Sequence, residues 1–209
     1  MKNIIILFIA FLSIVNCINA QNDPAAKKIL DGVSAKIKSV TSISASFSLK
    51  SLSSKGVNNG IRTGSVSLKG QKYIMKQGKI EIICDGKKIY NFDGNKTITV
   101  SGVEDASSTL SPQILLSNFY DKDYSYKLIT SVGNFHQIEL IPLDKRKNVQ
   151  KVNIFIDKVK SFITKAKILD KSNNSVELTI SNTNTTVILN DNLFQFNKSK
   201  YPADVEILD

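Results

Sequence analysis

The spacing of apolar residues changes once, and the change divides the chain into a helix followed by a long series of strands. Ala26, Ile29, Leu30, Val33, Ile37 and Val40 recur at intervals of three and four, which predicts one amphipathic helix from about Pro24 to Lys38. Asp23 and Pro24 suit its start, because Asp can accept from the first N–H groups and Pro lacks a donor where none is needed. From Ile43 the period falls to two: Ile43, Ala45, Phe47 and Leu49 alternate with Ser44, Ser46, Ser48 and Lys50. The same alternation returns in 64–69, and further strand candidates are 72–76, 79–84, 88–92, 97–101, 124–129, 135–141, 152–157, 163–169, 176–181 and 185–189. Asp85-Gly86 and Asp93-Gly94 are hairpin turn signals between neighbours. A series of short strands with tight turns predicts a single antiparallel meander of about eleven strands, curled into an unclosed β-barrel.

One stretch breaks the alternation. Ser111-Pro112 supplies a cap and a first-turn proline, and the apolar residues up to Tyr120 return to helical spacing, which predicts a short helix inserted between strands. The fold class is therefore mainly β with α, a barrel plugged by an N-terminal helix and a short second helix. With no Trp in the chain, a sheet of this size does not fill its own interior. Aliphatic lining suits acyl chains, at about 0.8 kcal/mol per CH2 removed from water. Ile29 and Val33 on the helix and Phe47, Leu49, Val66 and Leu68 on the first strands are the candidate lining.

The N-terminus changes where such a container works. Lys2, the apolar run Ile4 to Val15 and Asn19-Ala20 read as a secretory signal peptide cleaved after Ala20, leaving 21–209 as one domain. The run is too short for the ~20 apolar residues of a membrane-spanning helix. A second reading makes Cys17 a lipidated first residue, although Asn16 occupies the place where a small residue is preferred. Loops are expected at 51–60, 102–109 and 145–150.

The formal charge of +10 raises nucleic acid as a partner, but the basic residues are scattered and mostly Lys, with no strand or recognition helix gathering them. No nucleic-acid partner is expected, and a Lys-rich solvated surface explains the charge. Cys84 lacks a second cysteine once the signal is removed, so a buried thiol is expected. His136 is the single histidine, no Cys/His set has metal spacing, and no Gly-rich loop cradles phosphate. Neither an enzyme, a metal nor a cofactor is expected; an exported enzyme using the barrel as a substrate pocket stays as the reading from another class.

Several segments together resemble the outer-membrane lipoprotein carrier protein (LolA-like) family. They are the helix from Asp23, Ser46-Phe47-Ser48, the run Gly64 to Tyr73, Cys84 to Tyr90, Ser111 to Leu116, Leu140-Ile141-Pro142, and Phe194-Gln195-Phe196 with Tyr201 to Val205. The resemblance implies a monomeric periplasmic carrier that takes lipoprotein acyl chains from an inner-membrane ABC exporter to an outer-membrane acceptor. It further implies that Tyr73 and Met75 line the cavity, and that Ile114, Leu115, Leu116 and Phe119 belong to a lid. The family's proteobacterial members fasten that lid with an arginine where this chain has Gly70 or Gln71; Lys69 and Arg62 are the nearest cations. An exported carrier or sensor of another lipid or glycolipid is the alternative on the same fold.

Overall fold

The computed structural model describes residues 22–103 and 119–209. The helix α1 spans Pro24–Ser39, and Asp23 caps it, its carboxylate accepting from the N–H groups of Ala25 and Ala26. Six strands follow: β1 Ser42–Leu52, β2 Asn58–Lys69, β3 Lys72–Gln77, β4 Ile80–Cys84, β5 Lys88–Phe92 and β6 Thr97–Gly102. A short helix, α2 (Phe119–Asp123), leads into β7 Tyr124–Thr130, β8 Phe135–Pro142, β9 Val149–Asp157, β10 Ile163–Asp170 and β11 Ser175–Asn184. Two 3-10 turns, Asp191–Phe194 and Lys198–Lys200, precede a last strand, β12 Glu206–Leu208.

All twelve strands form one sheet in the order β12-β6-β5-β4-β3-β2-β1-β11-β10-β9-β8-β7, with β12 and β7 at its edges. The sheet is therefore unclosed. It differs from a single meander in one respect: two meanders, β1 to β6 and β7 to β11, are joined where β1 pairs with β11, Leu49 opposite Leu178. Every pairing is antiparallel except that of β12 with β6.

The predicted strand at 185–189 does not form. β11 runs on to Asn184, whose side chain then accepts from the N–H of Thr186, and the chain leaves the sheet. From Leu189 on, its apolar residues go to the face opposite α1, here called the outer face, while Ile188 stays exposed. Leu189, Leu193 and Phe194 pack on Ile74 and Ile83, Phe196 stacks on Tyr90 at 4.4 Å, and Val205 closes over Ile98 and Val100. Lys69 and Lys72 hold this segment through Asp191, at 3.0 and 2.8 Å. The Tyr201 hydroxyl donates to Glu81 at 2.6 Å. Burial alone would raise the Glu81 carboxyl, but the bonds from Lys76 and Tyr201 outweigh it and hold it below the usual range.

On the inner face, Ala26, Leu30 and Val33 of α1 pack against Tyr124, Tyr126, Ile138, Leu140, Val152, Ile154, Ile156 and Ala166 of β7 to β10. Polar bonds fix this seat at the sheet edge. Asn22 and Asp23 accept from the N–H groups of Tyr126 and Leu128, and the Asp23 N–H donates to the Tyr126 carbonyl, which occupies ladder positions that β7 would otherwise expose. Lys27 bridges Asp31 and Asp121, while the Tyr120 and Tyr126 hydroxyls donate to Asp31 and Asp121 at 2.6 and 2.7 Å. α1, α2 and β7 are thus bound as one unit. The predicted inserted helix at 111–120 lies almost wholly outside the described residues; α2 begins at its end.

Phe194 is fully buried under the closing segment. Phe194→Ala is expected to cost about 3–5 kcal/mol and lower the melting temperature by roughly 10 °C. A thermal denaturation curve checks this, and a shift under about 3 °C would show that the segment does not bear on the sheet.

Candidate functional site

Cross-strand partners in an antiparallel sheet share a face, so the register traces the inner surface from strand to strand. It runs Cys84–Tyr73–Leu68–Ile43 and Ile82–Met75–Val66–Ala45 across β4, β3, β2 and β1, and Leu49–Leu178–Ala166–Ile154–Ile138–Leu128 across β1 and β11 to β7. Each of these residues is apolar or Cys except the Tyr73 hydroxyl. The candidate strand residues Phe47, Leu49, Val66, Leu68, Tyr73 and Met75 are therefore brought onto one wall. Of these, Phe47 and Tyr73 are buried and the other four half-buried.

Magnitudes decide how much of this wall the helix covers. α1 has 16 residues, hence roughly 24 Å of length and about 10–12 Å of width. Strands lie about 4.8 Å apart, so such a helix covers on the order of two to four strands. Its buried partners come from β7 to β10, four strands of the twelve. A second cluster, Tyr73, Cys84 and Ile89 with Leu68, Ile82 and Val103, lies on β2 to β6. Among the described residues, Ile43, Ala45, Phe47, Leu49 and Val66, on β1 and β2 between the two, join neither cluster. A pocket of about 230 Å3 opens beside this row, lined by Ile37, Ile43 and Leu68 with Val40, Thr41 and Gln71.

Ile29 is half-buried and Val33 buried, but both pack into the α1 cluster on β7 to β10. They belong to the far end of the wall from Tyr73 and Met75. Ile114, Leu115 and Leu116 lie outside the described residues; Phe119 opens α2.

Gly64 shows how closely the wall is built. It stands opposite Phe47, and a Cβ there would lie 2.3 Å from the Phe47 ring and 2.2 Å from the Lys76 carbonyl oxygen. The ring occupies the side-chain space that glycine vacates.

The polar groups of the wall among the described residues are few. Burial pushes the Tyr73 hydroxyl up to about 12 and raises the Cys84 thiol, which keeps both protonated at neutral pH. His136 hydrogen-bonds Ser131 at 2.8 Å beside the β7–β8 turn, and burial together with Lys158 lowers its pKa. Among the described residues no group of three or more His, Cys, Asp and Glu could hold a metal. Lys69 is committed to Asp191 and to the Leu189 carbonyl on the closing segment, while Arg62 is exposed on the inner face opposite Leu49.

One residue escaped sequence reasoning. Gln77, the last residue of β3, shares its face with Tyr73 and Met75, and its amide nitrogen is buried without a hydrogen-bond partner. As a polar residue next to Gly78 it looks like ordinary turn chemistry, and the pleat alone reveals which way it lies.

A half-open sheet with an apolar inner wall and one helix seated on part of it is the unclosed-barrel architecture. The sequence profile described as "Outer membrane lipoprotein carrier protein LolA" matches residues 38–197, and the chain belongs to that family. No curated protein matches the chain. Among solved structures, an uncharacterized conserved protein from Thermus thermophilus is 12% identical, with a TM-score of 0.59 over 88% of this chain and 98% of that one. It shares the fold. A LolA superfamily protein from Nitrosomonas europaea (14% identity, 82% and 97% covered, TM-score 0.45) and the lipoprotein LppX of Mycobacterium tuberculosis (16%, 81% and 100%, 0.48) are more distant.

Gly64→Ala is expected to cost about 2 kcal/mol or more, because one of the two obstructing atoms is backbone and cannot rotate away. Denaturant unfolding checks this. A variant as stable as the wild type would mean that β3 and the Phe47 ring yield freely.

Proposed function

We propose that this protein is an exported carrier that holds the acyl chains of lipoproteins against the inner wall of its sheet. The observation that carries the reading is the apolar row on β1 and β2, which among the described residues joins neither the α1 cluster nor the Tyr73 cluster and keeps Leu49 and Val66 half-buried. An acyl chain laid beside the buried Phe47 along Leu49, Val66, Leu68 and Met75, all half-buried, would remove from water what those four still expose, at about 0.8 kcal/mol per methylene. Membership of the carrier family supports lipoproteins as the cargo.

Loading and release exchange contacts between protein and water for contacts between protein and acyl chain, and no bond is made or broken. The segment before α2, holding Ile114, Leu115 and Leu116, is the proposed cover. α2 is tied to α1 through Asp121 and Lys27, so the downstream end of that cover has a fixed anchor. The protein works as a monomer in the periplasm after cleavage behind Ala20. Its proposed partners are an inner-membrane lipoprotein-exporting ABC transporter and an outer-membrane acceptor. Among the described residues no helix is long and apolar enough to cross a membrane.

Met75 is half-buried on the wall, and Thr179 is exposed on the outer face. Met75→Glu is expected to weaken binding of a fluorescent acyl probe at least about tenfold, since a carboxylate must then be desolvated beneath the chain. Thr179→Glu leaves binding unchanged. Mass spectrometry of the protein isolated from its own cell envelope then reads the cargo: bound lipoprotein supports the proposal, and a glycolipid or other lipid alone replaces it.

A further inference from the structure

The inner wall contains a buried donor without a hydrogen-bond partner. Gln77 follows Tyr73 and Met75 at the period of the strand and pairs with Ile80 of β4, so its side chain belongs to the apolar face. Its amide nitrogen is shielded from water and finds no acceptor. A buried donor left unpaired works against folding, and proteins rarely retain one without compensation. A leucine or methionine of similar volume would remove the deficit. The neighbours across the pleat are Ile80 and the Gly64 end of β2, where Arg62 is the next residue on the inner face, and the next residue of β3 on that face is Met75; none of these is an acceptor side chain.

We infer that Gln77 is a specificity-determining contact, donating its amide N–H to the ester carbonyl of a bound acyl ligand. This rests on the acyl-carrier reading and adds to it the class of linkage recognised. The position fits that chemistry. Gln77 ends its strand, so it stands at the rim of the wall, with Met75 and Tyr73 successively further along the same strand. A hydrocarbon tail has no polar atom along its length and carries one carbonyl at the end where it joins glycerol. Tails against Met75 and Val66 with that end at Gln77 give the buried amide the acceptor it lacks.

Binding of dioctanoylglycerol and of its dioctyl ether tests this, since the two differ only in the carbonyl oxygens. The wild type is expected to prefer the ester by about five- to tenfold, the worth of one hydrogen bond to a neutral acceptor. Gln77→Leu is expected to erase that preference by weakening ester binding alone, while the melting temperature of the empty protein stays level or rises. Gln77→Met serves the same purpose should the leucine variant fold poorly. Equal binding of ester and ether by the wild type, or a preference that survives both substitutions, overturns the inference and leaves the carrier reading standing. Binding of neither lipid by folded wild-type protein overturns both.

Discussion

The structure depends on a mismatch between one sheet and one helix. The pleat gives β1 to β4 and β7 to β11 a shared apolar inner face, with Ile74 and Ile83 of β3 and β4 on the other side, and a face that wide demands cover. The 16 residues of α1 pack on four of those nine strands, β7 to β10. On the outer face the opposite holds, because the segment from Leu189 to Val205 follows the β3 to β6 half closely and seals it with Phe194, Phe196 and Tyr201. Among the described residues, the chain seals the outer side of the β3 to β6 half, while on the inner side α1 packs on β7 to β10.

The polar bonds keep that imbalance in place. Asp23, Lys27, Asp31, Tyr120, Asp121 and Tyr126 confine α1 to the β7 edge, so the helix cannot slide toward Phe47 and Val66 to cover them. At the other half, Asp191 between Lys69 and Lys72 keeps the closing segment outside. These surface pairs contribute little stability one by one, and their effect is to fix which apolar surface meets which. A helix held at one margin of a greasy wall leaves the rest to a ligand or to the segment that precedes α2.

Helix α1 and most strands were legible because their periods, 3.6 and 2, are dictated by geometry that the helix and the pleat impose on any core. Phe47, Leu49, Val66, Leu68, Tyr73 and Met75 could be assigned to one wall for the same reason. Three things were not legible. The pairing of β1 with β11 joins residues more than a hundred positions apart, and nothing local specifies it. Residues 185–189 are β-branched and apolar like a strand, yet Asn184 turns the backbone away and Leu189 serves the outer face. Gln77 is the third: its meaning lies in a missing partner, which only coordinates reveal.

Photolabelling tests the central claim most directly. A diazirine-bearing fatty acyl lipid, irradiated with the folded protein and mapped by peptide mass spectrometry, should leave adducts on β1 to β3 at Phe47, Leu49, Val66 and Met75. Adducts confined to the outer face, or none on a protein shown to be folded, would contradict the account.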